Sequence, residues 1–207
     1  MSSISIIGAG KMARAIGGRA VEGGNAVEII GRDAAEAASL AESLGGGATV
    51  GKFGVVPAGD IVILAVPSAS AAQVAAGYGE ALAGKVVIDI TNAFTQDAAG
   101  LTTTDGTSIA QEVAKAAPAT ARVIKAFNTL FGHVLAKGGE LDVLLAGDDD
   151  QAKADTAAFI RSLRLRPWDV GPLAMAHSLE HAGLIMMGLG RHGGAGYDFA
   201  LGVNILG

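Results

Sequence analysis

Short apolar runs alternate along the chain with longer stretches that mix apolar and polar positions. The apolar runs fall at residues 3–7, 26–30, 61–66, 86–90, 121–127 and 143–146. Several are apolar at every position, which is typical of parallel strands covered on both faces. The stretches at residues 11–23, 34–44, 70–82 and 108–116 have the character of helices. This alternation predicts an α/β fold, a Rossmann doubly wound parallel sheet.

The pattern changes near Gly147. Asp148 and Gln151 have the spacing of a capping box for a helix that runs to Leu163. The motif RPWDVGP then predicts a short strand, followed by a helix over about residues 173–187. We therefore predict a Rossmann domain at residues 1–147 and a small, closely packed C-terminal α/β part at residues 148–207. The last fifteen residues, GGAGYDFALGVNILG, are apolar enough to predict that this tail packs against the protein.

Composition narrows the class of protein. Half of the 207 residues are apolar and 17% are charged, which predicts a folded chain with a sizeable core. A net charge of −5 argues against a general nucleic-acid binder. The chain has no cysteine, so disulfides, thiol nucleophiles and cysteine-ligated zinc are excluded. No apolar run approaches the roughly 20 residues that span a bilayer, and no leader peptide is evident. We expect a cytoplasmic protein with neither a nucleic-acid nor a membrane partner.

The segment ISIIGAGKMARAIG carries the first functional motif. Gly8, Gly10 and Ala13 match the G-x-G-x-x-G/A fingerprint between a strand and a helix. Such a turn brings backbone N–H groups and the positive end of the helix toward a pyrophosphate.

Other candidate ligand contacts follow the ends of further predicted strands. Ligands bind outside the carboxyl ends of the strands in open α/β sheets. We expect Pro67 to turn the chain outward there, with Ser68 or Ser70 capping the next helix. The candidate contacts at these strand ends are Val66, Pro67, Ser68, Asn92, Asn128 and Thr129.

The end of the second strand indicates which dinucleotide binds. An NAD site typically has Asp or Glu there, whereas this chain has Gly31 followed by Arg32. The missing carboxylate removes repulsion of a 2′-phosphate, and the arginine supplies a cation for it. We interpret Asp33 as the N-cap of the next helix. The sequence therefore favours NADP(H) over NAD(H).

No acid–base residue stands out, so we assign no catalytic residue. Lys125 lies in a predicted strand, where a salt bridge is as good an explanation as catalysis. The segment HSLEH places His177 and His181 on one helix face in the H-x-x-E-H spacing of some zinc peptidases. A third zinc ligand is hard to find, since only Asp198 is acidic after His181. We predict no metal site, and interpret the two histidines as part of a polar face near the crevice, where either can touch a substrate.

Seven segments together resemble the NADPH-dependent coenzyme F420 reductases, also called F420:NADP oxidoreductases. Their order and spacing are similar over nearly the whole chain. The segments are IIGAGKMARAI, IIGRD, ILAVP, VVIDITNAF, VIKAFNTLFG, LLAGDDDQAK and LRPWDVGPL.

The resemblance implies roles for individual residues. Gly8, Gly10, Lys11 and Met12 would hold the pyrophosphate, with Ala9 in the same turn, and Arg32 would bind the 2′-phosphate. Pro67, Asn128 and Leu130 would line the nicotinamide, with the deazaflavin stacked over it. Family members are typically homodimers, and residues 148–207 would complete the deazaflavin site and the dimer contact.

We therefore expect an oxidoreductase that transfers a hydride between NADP(H) and coenzyme F420 or a flavin. Hydride transfer between two stacked flat heterocycles needs no acid–base side chain. Two alternatives stay open: an NADPH-binding sensor or regulatory module without turnover, and an NADPH-dependent reductase of a small imine or carbonyl.

Overall fold

A computed structural model describes residues 2–103, 106–194 and 196–206 of the chain. In this described part of the chain, eight strands form one sheet: β1 (Ser3–Ile7), β2 (Ala26–Gly31), β3 (Thr49–Lys52), β4 (Ile61–Leu64), β5 (Val86–Asp89), β6 (Arg122–Ala126), β7 (Asp142–Gly147) and β8 (Arg166–Asp169). The helices described there connect or cover the strands: α1 (Lys11–Glu22), α2 (Ala34–Leu44), α3 (Ser68–Tyr78), α4 (Ile109–Ala116), α5 (Gly132–Ala136), α6 (Asp150–Ser162) and α7 (Ala176–His192). Within these residues no helix combines the length and the apolarity needed to span a membrane.

The sheet has the strand order β3-β2-β1-β4-β5-β6-β7-β8. All neighbouring pairs are parallel except β6 and β7. Strands β2 and β4 lie on opposite sides of β1, so the direction in which strands are added reverses there. A crevice opens at the carboxyl ends of these strands as a result. The doubly wound α/β fold is thus confirmed.

Alternation along β1 divides the core between the two faces of the sheet. Ile6 packs with Ile16 and Phe159 on one face, while Ile7 packs with Leu64 on the other. All five side chains are fully buried. Burial on both faces is the reason that the central strands are apolar at consecutive positions rather than at alternate ones.

Several predicted boundaries change in the structure. The helix predicted to reach residue 82 ends at Tyr78, and a 3-10 turn follows at Gly79–Leu82. Strand β3 and helix α5 were not predicted. The capping-box prediction at Asp148 is wrong, because Asp149 caps α6 through a 2.7 Å bond from the Ala152 amide. The Asp148 carboxylate instead accepts the amide of Leu173, 25 residues further along the chain.

The C-terminal region continues the same sheet and covers one end of it. Strand β8 pairs in parallel with β7, and α7 follows the 3-10 turn at Leu173–Met175. In the tail, the rings of Tyr197 and Phe199 pack edge-to-face on Phe131. Lys137 and Asp198 form an ion pair. The tail therefore packs as predicted near its start, whereas Leu206 is 95% exposed. The division at residue 147 stays a prediction.

Candidate cofactor site

A tight glycine turn joins β1 to α1. Gly8 has φ +124°, and a Cβ atom there would lie 2.1 Å from the Ala65 carbonyl oxygen. Only glycine fits both that backbone conformation and that close approach. At Gly10, by contrast, a Cβ atom would meet nothing within 4 Å, so this position borders open space. Gly10 is also the N-cap of α1 and provides no side-chain cap, which leaves first-turn amides available to an anion.

Arg32 follows β2 on the rim of the same crevice. Its side chain is exposed, and within the described part of the chain it makes no ion pair. Among the described residues Asp33 makes no ion pair with it, and its Oδ1 instead accepts the amides of Ala35 at 2.8 Å and Glu36 at 3.3 Å. The N-cap role predicted for Asp33 is therefore confirmed. Gly31 is needed for packing, since a Cβ atom there would lie 2.8 Å from the Asp33 carbonyl oxygen.

These residues surround a cleft of about 870 Å³. Six of the predicted contacts line it, namely Gly8, Ala9, Gly10, Arg32, Val66 and Pro67. Ser68 does not line the cleft and does not cap α3, because the N-cap residue is Pro67 and no side-chain cap is made. Ser70, the other predicted cap, lines the cleft instead. The predicted capping role of these serines is wrong.

Two aromatic residues in this cleft were missed by the sequence reasoning. Phe53 follows β3 and Tyr78 ends α3, and their rings meet edge-to-face at 5.6 Å. Burial raises the pKa of the Tyr78 hydroxyl above its ordinary value, so this group stays neutral. Lys52 is a further candidate contact for the cofactor, because it pairs in register with Gly31 at the end of β2. The sequence gives only a weak signal for these two rings, because Phe53 follows a short, exposed edge strand that was not predicted.

The remaining predicted contacts lie outside that cleft. Asn92 and Asn128 bond to each other: Asn92 Nδ2 donates to the Asn128 carbonyl at 2.8 Å, and Asn128 Nδ2 donates to Asn92 Oδ1 at 2.9 Å. Asn128 Nδ2 also donates to the Leu179 carbonyl of α7 at 2.7 Å. Asn128 Oδ1 is buried and has no partner within the described residues. The two amides thus join two strand ends to α7.

Three other predicted contacts lie in two places, at the start of α1 and after β6. Lys11 is exposed, and Met12 is half-buried. The Met12 sulfur would lie 3.1 Å from a Cβ atom at Gly132, so α1 and α5 pack closely here. Leu130 is 6% exposed. Their predicted roles at the cofactor stay predictions.

A buried ionic cluster lies between the sheet and α7. Lys125 Nζ donates to Asp89 Oδ2 at 2.7 Å, to Glu180 Oε1 at 2.8 Å and to the Thr91 carbonyl at 2.6 Å. All three charged side chains are fully buried. Burial raises the pKa of Glu180, although the Lys125 ammonium and the Ile109 amide act in the opposite direction. Lys125 is therefore ion-paired, as the sequence had suggested, and it links β5 and β6 to α7.

The HSLEH residues do not converge on one point. Glu180 is fully buried against Lys125, whereas His181 is exposed. His177 Nδ1 lies 2.8 Å from the Thr107 carbonyl, and His181 Nδ1 lies 2.9 Å from the His177 carbonyl. In the described residues no three His, Cys, Asp or Glu side chains are grouped so as to hold a metal ion. The histidines therefore form a polar face on α7.

Together, the doubly wound sheet, the glycine turn and the crevice at the strand ends define a dinucleotide-binding fold. Residues 3–93 match the family model described as NADP oxidoreductase, coenzyme F420-dependent. This match covers somewhat under half of the chain, so residues 3–93 carry a domain of this NADP oxidoreductase family.

The chain is also similar to individual proteins. A hypothetical protein from Sinorhizobium meliloti is 30% identical, with a TM-score of 0.74 over 84% of this chain and 87% of that one. A putative F420-dependent NADP reductase from Arthrobacter is 23% identical, with a TM-score of 0.83 over 98% and 100%. Metalloreductase STEAP3 of Rattus norvegicus is 28% identical over 180 residues, which are 86% of this chain. The chain spans about a third of the length of that curated relative, 35%.

Proposed function

We propose that this protein transfers a hydride between NADP(H) and coenzyme F420 or a flavin. The observation that carries the proposal is Arg32, exposed on the rim of the cleft that begins at the glycine turn. With Asp33 occupied by its own helix, the end of β2 offers a free guanidinium where an NAD site has a carboxylate. An arginine in that position binds a 2′-phosphate by charge-assisted hydrogen bonds.

The rest of the cleft fits the same cofactor. Gly8 permits the tight turn, Gly10 borders open space where phosphate groups can approach the backbone, and the α1 amides face them. The Phe53 and Tyr78 rings form an apolar wall in the same cleft, which suits a flat purine. When bound, NADPH supplies the hydride, and the protein's part is to bind and orient it.

The family description supports a deazaflavin as the acceptor, and the chemistry of the site agrees. Reduction of an imine or carbonyl needs a positioned proton donor, whereas two stacked flat rings exchange a hydride at close range. The overall exchange consumes one proton, which water can supply: NADPH, F420 and H⁺ give NADP⁺ and reduced F420. Lys125 is sealed in its ion cluster and is not available as an acid.

A direct assay distinguishes the acceptors. Purified protein is mixed with NADPH and one acceptor at a time, which is oxidised F420, FMN or a small cyclic imine. We expect loss of the visible deazaflavin absorbance, or reduction of FMN, at a rate proportional to enzyme. Turnover of the imine alone would contradict the proposal, and tight NADPH binding without any turnover would favour a sensor module.

Substitution of Arg32 tests the choice of cofactor. Arg32→Ala removes charge-assisted bonds, so the KM for NADPH should rise about 10- to 100-fold. The KM for NADH should hardly change, and Arg122→Gln, outside this cleft, is the matched control. An equal effect on both cofactors would refute the assignment. His177→Ala and His181→Ala should leave F420 turnover intact, since neither is assigned a chemical role.

We also propose that the protein forms homodimers. Along one side of α7, Ile185 is 62% exposed and Leu189 is 45% exposed, and the apolar tail ends nearby in sequence. Exposed apolar clusters of this kind are typical of contacts between subunits. Light scattering should give twice the monomer mass, and Ile185→Asp should reduce it to that of the monomer. A wild-type monomer at micromolar concentration would contradict this proposal.

A further inference from the structure

A second cleft, of about 700 Å³, concentrates positive charge away from the cofactor site. It is formed by α1, the segment after α5, the end of α6 and the start of β8. It shares no lining residue with the cofactor cleft. Four of the chain's eight arginines line it, in a protein of net charge −5: Arg19, Arg161, Arg164 and Arg166. Such a concentration is not expected from a random distribution of surface charge.

Arg19 is the fixed part of this arginine cleft. It is 8% exposed. Its Nε donates to the Leu135 carbonyl at 2.8 Å, and Nη1 donates to the carbonyls of Gly139 at 3.0 Å and Leu163 at 3.1 Å. These three bonds lock the guanidinium in one orientation. Its Nη2 is buried and has no partner within the described residues.

The charge of Arg19 is not neutralised by a bonded carboxylate. No acid lies within ion-pair distance in the described part of the chain, and burial lowers the pKa of Arg19 while the more distant Glu22 raises it. A buried guanidinium held only by neutral carbonyls retains a strong field, because little water screens it. This field favours an anion in the adjoining cleft.

Arg161 and Arg164 complete the positive wall. Both are exposed and, among the residues that the structure describes, neither makes an ion pair. Arg166, in contrast, is bidentate on Asp142 at 2.6 and 2.9 Å and adds little net charge. Three arginines therefore face two exposed acids, Glu22 and Glu140, which leaves the lining net positive.

The backbone at Arg164 provides an independent indication. Arg164 has φ +58° just after α6, a left-handed position that normally takes glycine. A side chain there costs about 1 kcal/mol or more. Keeping an arginine at that cost indicates that its side chain has a use beyond folding.

We propose that the arginine cleft binds a small, multiply charged oxyanion, with Arg19 as the fixed cation and with Arg161 and Arg164 as the direct ligands. The site is separate from the cofactor cleft and does not depend on the proposed hydride transfer. Paired guanidinium groups favour phosphate oxygens, and pyrophosphate carries more negative charge than succinate near neutral pH, so pyrophosphate should bind better than this dicarboxylate.

The test is calorimetric titration of the intact protein with inorganic pyrophosphate and with succinate, in Tris chloride of low ionic strength. We expect saturable pyrophosphate binding at one site and weaker succinate binding. The double variant Arg161→Gln, Arg164→Gly should weaken pyrophosphate binding about tenfold or more. It should fold normally, because glycine suits the left-handed position. Its melting temperature is measured alongside.

One control variant and one competition experiment complete the design. Arg122→Gln removes an arginine that lines neither cleft and should bind pyrophosphate as the wild type does. Pyrophosphate should also bind normally when NADPH saturates the cofactor cleft. Pyrophosphate binding that NADPH abolishes and the double variant keeps would place the anion in the cofactor cleft and overturn the proposal. Equal weakening in Arg122→Gln, or no saturation at millimolar pyrophosphate, would overturn it as well.

Discussion

Replacing Lys125 by methionine tests what holds α7 against the sheet. The ammonium now bonds to Asp89, Glu180 and the Thr91 carbonyl at 2.6–2.8 Å in a fully buried setting. Methionine keeps most of the side-chain volume but leaves two carboxyl groups without their shared donor. Breaking a buried ion pair from one side costs about 3–5 kcal/mol. At about 2–4 °C per kcal/mol for a chain of this size, the melting temperature should fall by roughly 6–20 °C.

The isosteric variant Glu180→Gln separates charge from packing. A glutamine Oε1 can still accept from Lys125 and from the Ile109 amide, both of which bond Glu180 Oε1 at 2.8 and 2.9 Å. We therefore expect a loss of no more than about 1 kcal/mol, within the range for one changed hydrogen bond.

The same pair of variants predicts a pH dependence. The pKa of Glu180 is higher in the folded than in the unfolded chain, because burial disfavours its charged form. Its stabilising contribution is thus complete below the unfolded pKa, and it is lost as the pH rises through the folded pKa. Without Lys125 the pKa of Glu180 rises further, so the deficit of Lys125→Met should be larger at pH 8 than at pH 5.

Thermal and urea unfolding at both pH values, followed by circular dichroism, provide the measurement. Glu180→Gln should lose the part of the pH dependence that belongs to this carboxyl. The reasoning would be refuted if Lys125→Met shifted the melting temperature by less than about 2 °C, which corresponds to under 1 kcal/mol. A deficit that is equal at both pH values would refute the assigned role of Glu180.

Three further substitutions test the glycine turn and the anchoring of the tail. Gly8→Ala places a Cβ atom 2.1 Å from the Ala65 carbonyl oxygen at φ +124°, so it should lower the free energy of unfolding by about 2 kcal/mol or more. Gly10→Ala, with nothing within 4 Å, should keep its stability and lose NADPH affinity, as measured by nucleotide fluorescence. Burial acts to raise the pKa of Asp142, but hydrogen bonds from Trp168, Val203 and Arg166 lower it overall. The stability that this carboxylate provides should therefore be lost as the pH falls through the lowered pKa. Asp142→Asn should cost about 1–3 kcal/mol in urea unfolding at neutral pH and flatten that acid transition, and an unchanged transition would contradict this assignment.

The predictable parts of the fold are those that depend on short stretches of sequence. The apolar runs of the central strands predicted their positions to within two residues at most ends. Asp33 was predictable as a cap because its partners, Ala35 and Glu36, are two and three residues away. In each case the physical cause is local periodicity or a local hydrogen bond.

The missed features depend on contacts that are distant in sequence. Strand β3 is short and exposed, with a glycine in its centre, so neither alternation nor apolarity marks it. The bonds of Lys125 span 36 residues to Asp89 and 55 residues to Glu180. Its burial therefore became visible only when the sheet and α7 were placed together. The same holds for the arginine cleft, whose arginines come from α1, from the end of α6 and from the residues after it.

The two walls of the crevice differ in how firmly they are held. After β6, Phe127 adopts φ +61° while fully buried against Phe159, and the next residue, Asn128, bonds to both Asn92 and α7. A non-glycine residue persists in that conformation only where its surroundings over-determine it. Arg32, on the opposite side, is exposed and makes no ion pair within the described chain. If the nicotinamide lies near Asn128, as the resemblance to the F420 reductases implies, its position is set by a rigid wall before binding. Changes at Arg32 should then alter cofactor affinity, whereas changes at Lys125 or Asn128 should alter the rate of the hydride step.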